Sequence, residues 1–275
     1  MRAFLSALTV GTALIAVPAM AQTANTWDGP YVGVHGGYAF NESDRGETLV
    51  FDGNGDGEFG DAVRTATGAN AFSPGFCDGR ALDGNAATGC EDDSDSIVGG
   101  VRAGYDRQMG PIVFGVVADY TQGKLRNYVT GFSTTPASYT FTRTVRNQAS
   151  ARLRAGVASG DSLLYATGGL AWARVQNRFT TTNAANSFTP NNDEEGAWGY
   201  ALGGGFEQKL NESVSVGVEY QYRNLKADDF QVAVGQGSAA ASNPFLIGGA
   251  GGADIERLNG RFKTHGVTAN VNFRF

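Results

Sequence analysis

The chain has 275 residues and carries 27 acidic side chains against 21 basic ones, a formal net charge of −6 with histidine neutral. A chain that is acidic and has no basic stripe is a poor ligand for phosphate backbones, so nucleic acid is excluded as the expected partner. The 40 glycines, 17 phenylalanines and 10 tyrosines are not typical of a helical protein. The composition therefore predicts a fold made of strands.

The first 21 residues have the pattern of a cleaved secretory signal peptide. Arg2 supplies a positive charge, residues 3–17 are apolar, and residues 19–21 (Ala-Met-Ala) form a cleavage site with small residues at the required positions. The apolar run is too short for a transmembrane helix, and no later segment reaches the necessary length. Residues 22–275 are therefore predicted to form a single mature domain.

Eight segments of that domain alternate between apolar and other residues with a period of two, the pattern of a strand with one apolar face. In chain order the predicted strands cover residues 27–40, 97–108, 112–122, 140–158, 164–172, 198–207, 214–223 and 263–275. Short polar turns connect some of them, at residues 109–111, 159–161 and 211–212. Four longer segments, predicted to be loops, connect the others, at residues 41–96, 123–139, 180–195 and 227–262.

Strands joined by alternately short and long connections predict an all-β fold, an eight-stranded antiparallel transmembrane β-barrel with short periplasmic turns and long extracellular loops. Each apolar face has about 9–11 residues, the length of a tilted strand that crosses hydrocarbon. Aromatic residues gather at both predicted interfaces. Near the long loops they are Tyr38, Phe40, Tyr120, Trp172, Trp198, Tyr220 and Tyr222, and near the short turns they are Tyr31, Tyr105, Phe273 and Phe275. Because the last strand must close the barrel, we interpret Phe273 and Phe275 as an assembly signal.

Nine charged residues alternate along their strands with the residues of the apolar faces, so they have the opposite parity and are predicted to point into the lumen. They are Arg102, Asp106, Asp119, Arg152, Arg154, Glu207, Glu219, Arg223 and Arg274. His35 has the same parity. An eight-stranded barrel is just wide enough for side chains to fill, so we expect paired charges that plug the interior. The alternative is a selective conduit or a proton path.

The predicted loop at residues 41–96 is strongly acidic and contains a partial calcium-binding motif. Its candidate ligands are Asp52, Asn54, Asp56, Glu58 and Asp61. Oxygen ligands at alternate positions, with Gly57 at the sixth, suit a hard cation. Position twelve holds Val63, where the motif requires glutamate, so a solvated acidic loop without bound calcium is the alternative. Apart from this possible Ca²⁺, no cofactor is expected.

Cys77 and Cys90 are the two cysteines of the chain, and both lie in the same acidic segment. No further cysteine or histidine lies near them to complete a zinc site. The periplasm is oxidising, so a disulfide is expected. Closing this ring would stabilise the segment by about 3 kcal/mol in the chain-entropy estimate.

Five stretches of the chain carry a resemblance to a known family, namely GPYVGVHGGYAF, VFGVVADY, LLYATGGLAWARV, SVSVGVEYQYRNL and NVNFRF. Together they resemble the small porin-family outer-membrane β-barrel proteins, whose architecture is that of the OmpA barrel domain and OmpX. The resemblance covers essentially the whole mature chain, apart from an unusually long and acidic first loop. It implies the outer membrane of a Gram-negative bacterium, contact with outer-membrane lipid and lipopolysaccharide, and insertion by the barrel-assembly machinery.

The expected function is structural and surface-exposed, without enzymatic activity and as a monomer. A weak porin that passes small solutes or ions is the alternative. A less favoured alternative is a barrel enzyme that modifies lipid A, because His265 has the parity of a lipid-facing residue near the extracellular rim. No serine is placed beside His265 by the spacing of the sequence, so a role in the aromatic interface is favoured over catalysis.

Overall fold

The computed structural model describes residues 27–42, 47–227, 229–249, 251–258 and 260–275. The described strands, in chain order, are β1 (Gly29–Asn41), β2 (Leu49–Asp52), β3 (Gly75–Cys77), β4 (Arg80–Ala81), β5 (Cys90–Glu91), β6 (Ser96–Met109), β7 (Ile112–Ser133), β8 (Ala137–Ser159), β9 (Ser162–Thr181), β10 (Ser187–Pro190), β11 (Glu194–Lys209), β12 (Val214–Lys226), β13 (Gln231–Gly235), β14 (Ala253–Arg257) and β15 (Arg261–Arg274). One 3₁₀ helix spans Ala86–Thr88. Among the described residues, no helix is long and apolar enough to cross a membrane. The predicted signal peptide lies outside the described residues.

Eight of the strands close into a ring in which each strand is antiparallel to both neighbours. The order around the ring is β1, β6, β7, β8, β9, β11, β12, β15 and back to β1. The first and last strands close it, with Val34 of β1 opposite Val271 of β15. A closed ring has no free sheet edge, so every strand pairs on both sides. The predicted eight-stranded antiparallel barrel is confirmed.

Side chains alternate between the outer surface and the lumen as the sequence pattern predicts. On β7, Phe114 and Val116 point outward and are 49% and 53% exposed, whereas Val113 and Val117 point inward and are buried. On β15 the outward Val271 follows the buried Asn270. The ring therefore presents an apolar outer band and a largely polar interior.

The predicted aromatic interfaces are mostly present, with one exception. Tyr38, Tyr120 and Trp198 are exposed on the outer surface near the end of the barrel where the long connections lie, which we call the cap end. Tyr31 lies at the opposite, short-turn end as predicted, but its predicted place in the outer aromatic interface is wrong. Its side chain is 1% exposed and points into the lumen, because its neighbour Val32 occupies the outward position.

Residues 123–139 were predicted to be a long loop, and this prediction is also wrong. β7 extends to Ser133 and β8 begins at Ala137, so only residues 134–136 connect them. Each strand has an irregularity where it leaves the barrel, near residues 122–125 of β7 and residues 145–147 of β8. β9 also continues past the barrel. The sequence pattern did not predict these strand extensions because, above the membrane, their outward face carries threonine and arginine instead of apolar residues.

These extensions form one face of a second packed unit. Beyond the irregularities, β7, β8 and β9 form a sheet with β3 on its edge, and β10, β13, β14 and β2 form a separate four-stranded sheet. The two sheets share one hydrophobic core, which comprises Leu49, Phe51, Val63, Ala71, Phe72, Val129, Ala137, Tyr139, Phe141, Phe230, Val232, Val234, Phe245, Ala253 and Ile255. We call residues 125–145 and 175–181 together with β2, β3, β10, β13 and β14 the cap sandwich. The predicted loops at 41–96, 180–195 and 227–262 therefore supply strands.

Candidate functional site

The lumen near the short-turn end is filled by a balanced set of four charges, the lower charge cluster of Asp106, Arg154, Glu207 and Arg274. Arg154 donates from Nη1 to Asp106 Oδ2 over 2.9 Å and also pairs with Glu207. Arg274 Nη2 contacts the same two carboxylates, at 2.9 Å and 3.1 Å. All four side chains are buried. Two guanidinium groups and two carboxylates therefore neutralise each other away from water.

Three aromatic rings pack against this cluster, and none of them was among the residues that the sequence analysis named as facing the lumen. The guanidinium carbon of Arg154 lies 3.9 Å from the centre of the Tyr165 ring. That of Arg274 lies 4.6 Å from the Trp27 ring and 4.8 Å from the Tyr31 ring. A cation over an aromatic face is favourable, and more so when both are shielded from water. Trp27, with no exposed surface, helps to close the lumen at this end.

The remaining predicted charges form the middle charge cluster of Arg102, Asp119, Arg152, Glu219 and Arg223. Arg152 contacts both carboxylates, at 2.6 Å to Asp119 and 2.6 Å to Glu219. Arg102 pairs with Glu219 at 3.0 Å, and Arg223 lies 3.4 Å from Asp119. All nine residues predicted to face the lumen are buried inside it, where they form ion pairs.

Next to the middle charge cluster lies a small cavity of about 20 Å³, enough for roughly one water molecule. Its lining includes His35, Arg102 and Arg223. The Nε2 atom of His35 lies 3.0 Å from the hydroxyl of Thr121. At this level the lumen holds side chains and at most a very small solvent pocket.

An apolar layer lies across the lumen on the cap side of the middle charge cluster. It comprises Ala39, Val98, Leu125, Val145, Ala171, Ala173, Val175, Ala197, Ala201, Leu225, Ala227 and Phe262. These residues come from most strands of the ring, and Leu125, Val145 and Leu225 have no exposed surface. These side chains pack against one another across the ring, and close packing of this kind leaves little room for water. Sequence reasoning missed this layer because several of its large members, among them Leu125, Leu225 and Phe262, lie just beyond the ends of the predicted strands.

A second polar layer separates the apolar layer from the core of the cap sandwich. Arg257 pairs with Glu47 and donates to the side-chain oxygen of Asn127. Arg143 is buried beside them. Burial, together with the positive charge of Arg257, lowers the pKa of Arg143. From the short-turn end to the cap, the chain therefore stacks charged, apolar, charged and apolar layers.

The predicted calcium ligands lie in a turn that follows β2, where several of them bond to backbone amides. Asp52 accepts from the amides of Gly55 at 2.7 Å and Gly57 at 2.8 Å. Burial raises the pKa of Asp52, but these amides outweigh it and hold the pKa below its ordinary value. The Asp61 carboxylate accepts from the amide of Gly53 at 3.0 Å.

The other candidate ligands of this turn bond to one another. The side-chain amide of Asn54 donates to Asp56 at 2.9 Å, and the backbone amide of Glu58 donates to Asp56 at 2.8 Å. Within the described part of the chain, no three acidic, histidine or cysteine side chains are arranged to hold a metal ion. Calcium binding by Asp52, Asn54, Asp56, Glu58 and Asp61 stays a prediction.

The predicted disulfide between Cys77 and Cys90 is present. Cys77 ends β3, the edge strand of the cap sandwich, and Cys90 begins β5, which pairs with β4. The bond therefore attaches the small β4–β5 hairpin to the sandwich, and the prediction is confirmed.

Two aromatic sites on the outer surface were also singled out by the sequence. Phe273 and Phe275 point outward at the short-turn end and are 49% and 50% exposed, and their role in assembly stays a prediction.

His265 faces outward at the cap end, where its Nδ1 atom lies 2.6 Å from the hydroxyl of Tyr220 and its ring stacks on Phe40. Glu42 approaches its Nε2 atom at 4.0 Å. These contacts are those of a residue in the aromatic interface.

Comparison with known proteins gives one family match and several distant likenesses. Residues 9–275 match the family described as "Outer membrane protein beta-barrel domain". The 31 kDa outer-membrane immunogenic proteins of Brucella melitensis biotype 1 and Brucella suis biovar 1 are each 29% identical to the chain over 131 residues. That alignment covers 47% of the chain and 54% of each relative, so the chain spans about half the length of these relatives.

Among solved structures, the crystal structure of OprG from Pseudomonas aeruginosa is similar to the chain with a TM-score of 0.49 and 12% sequence identity. The likeness covers 90% of this chain and 97% of OprG. The family match extends over almost all of the chain, including the whole closed ring of strands. The chain therefore belongs to the outer membrane protein beta-barrel domain family and is an integral β-barrel of the Gram-negative outer membrane, with its short turns in the periplasm and its cap end outside the cell.

Proposed function

We propose that the protein is a closed barrel with a structural, surface-exposed role, which presents the cap sandwich on the outside of the cell. The observation that carries this proposal is the apolar layer, which lies across the lumen between two layers of buried charges. An ion that crossed the lumen would have to displace packed side chains and separate buried ion pairs. Removing one partner of such a pair costs about 3–5 kcal/mol.

We also propose that the barrel is a monomer surrounded by outer-membrane lipid and lipopolysaccharide, and that it acts without a cofactor or an enzymatic activity. The closed ring supports a monomer, because it leaves none of the eight barrel strands with an unpaired edge. Phe273 and Phe275 lie where the barrel-assembly machinery can reach the last strand from the periplasm, which supports their role as an assembly signal.

The rival function is a weak porin, and planar-bilayer conductance of the refolded protein separates the two. A variant that thins the apolar layer, Leu225→Ala with Phe262→Ala, tests whether this layer blocks current. The matched control, Leu202→Ala with Phe206→Ala, shortens two side chains that face lipid.

The wild type and the control should give no steady current, whereas the thinned variant should give brief openings because part of the barrier is gone. Steady ohmic steps from the wild type would contradict the closed barrel and favour the porin.

A further inference from the structure

The outer wall of the barrel carries a basic groove just beyond the membrane-spanning region, on the outward face of β7, β8 and β9. Its basic residues are Arg80, Lys124, Arg126, Arg146 and Arg178, and its polar residues include Tyr128, Thr142, Thr144, Gln176 and Thr180. Asp193 and Glu194 also line it. The groove encloses about 770 Å³. It is open to the outside of the molecule, in contrast to the filled lumen.

The strand register brings these groups into two rows across the wall. In one row Arg126 of β7 lies opposite Thr144 of β8, which lies opposite Gln176 of β9. In the next row Tyr128 lies opposite Thr142, and Thr142 lies opposite Arg178. Neighbouring strands are about 4.8 Å apart, so hydrogen-bond donors and cations are closely interleaved on one face.

The groove is positive although the whole chain is negative. Its five basic and two acidic side chains give a local net charge of +3 (5 minus 2), against −6 for the chain. Arg80 pairs with Glu91, and Glu194 pairs with Arg174.

Four groove cations remain without such a pair. No described acidic side chain forms an ion pair with Lys124, Arg126, Arg146 or Arg178. Their charges are available to an external anion.

The position of the groove identifies the anion that it meets. Tyr120 and Trp172 of the outer aromatic interface lie on the same strands directly below it, and the register aligns both with Ala149. Aromatic residues of this kind mark the boundary between hydrocarbon and headgroups. The groove therefore lies at headgroup height and faces sideways, toward the lipid of the outer leaflet.

We propose that the basic groove binds the phosphorylated sugar headgroup of lipopolysaccharide. Arginine and lysine would pair with its phosphates, and the threonine and glutamine side chains would hydrogen-bond to its sugar hydroxyls. The net charge of +3 in the groove attracts such an anionic headgroup. The proposal is independent of whether the lumen conducts.

The test is a binding titration of the refolded protein in detergent micelles containing EDTA, so that divalent cations do not bridge phosphates to carboxylates. The probes are fluorescent lipopolysaccharide, the same lipopolysaccharide after enzymatic removal of its phosphates, and inorganic phosphate as a competitor. The groove variant combines Arg126→Gln, Arg146→Gln and Arg178→Gln. The matched control, which combines Arg64→Gln, Arg107→Gln and Lys226→Gln, removes the same charge from exposed positions elsewhere.

The wild type and the control should bind lipopolysaccharide equally, and the groove variant about a hundredfold more weakly, since each basic side chain at an anionic surface contributes about a factor of five. Dephosphorylated lipopolysaccharide should bind the wild type at least about tenfold more weakly, and millimolar inorganic phosphate should not compete. If the triple variant does not refold, Arg178→Gln alone should weaken binding about fivefold.

Several results would overturn the proposal. They are equal binding by the groove variant and the wild type, an equal loss in the control, indifference to the phosphates, and effective competition by inorganic phosphate.

Discussion

Arg152 is the side chain on which the middle charge cluster depends, because it contacts both Asp119 and Glu219. Arg152→Gln would leave two buried carboxylates with one fewer cation. We expect the free energy of unfolding to fall by about 3–5 kcal/mol. The measurement is urea-induced unfolding in lipid vesicles. Arg107→Gln is the control, since Arg107 is exposed, and equal unfolding of the two variants would contradict the importance of the buried pairs.

The parity of the sequence was sufficient to place all nine lumen charges, because a barrel offers each strand residue only two directions. It was not sufficient to pair them. Arg152 and Glu219 lie on strands that are not neighbours in the ring, so their contact depends on strand tilt and stagger, which the pattern does not encode. Trp27 was missed because it lies before β1, outside the clean alternation.

Calcium at the turn after β2 is testable at single residues. If Ca²⁺ orders residues 52–61, limited proteolysis of this segment should slow in millimolar calcium, and Asp52→Ala with Asp56→Ala should abolish the protection. Asp83→Ala with Asp92→Ala is a matched control outside the motif. Protection that survives the first pair of substitutions would indicate general screening of the acidic segment, and no protection in the wild type would exclude the cation.

At the scale of elements, the extended β7, β8 and β9 decide the form of the cap. Strands that leave the membrane no longer need an apolar outer face, so the alternation that identifies them weakens where the cap sandwich begins. Short strands such as β13 carry only a few alternating residues, and their partners are distant in the chain. The barrel was therefore predictable from sequence, whereas the sandwich, built from the predicted loops, was not.

Phe141 tests whether the cap sandwich is held by its own core. Its ring is 1% exposed and packs against Phe179 and Phe230. Phe141→Ala should destabilise the cap by about 3–5 kcal/mol through lost burial and a residual cavity. Protease cleavage within the cap, at temperatures that leave the barrel folded, measures the effect. Leu82→Ala, at a position that is 61% exposed, should behave as the wild type, and a similar cleavage rate in both variants would argue against a shared core.

At the scale of the whole molecule, the acidic segment at residues 41–96 and the basic groove carry opposite net charge although they are neighbours, joined by the bridge between Ser94 and Arg126. Residues 41–96 carry 13 acidic and three basic side chains, whereas the basic groove, which includes Arg80 of this segment, has a net positive charge. The two surfaces should respond differently to the anionic outer leaflet, since an acidic surface is repelled by it and a basic one is attracted. The cap sandwich joins these surfaces to the closed lumen in one folded unit.

Hydrogen exchange of the refolded protein in lipid, followed by mass spectrometry, measures most directly whether the barrel presents the cap sandwich as a folded unit. Backbone amides in paired strands exchange only when the strands open. Peptides covering residues 125–145, β13 and β14 should therefore exchange on the slow time scale of the barrel strands. Exchange of these peptides within seconds, at the rate of unstructured chain, would show that long mobile loops surround the barrel mouth and would contradict a barrel that presents a folded cap.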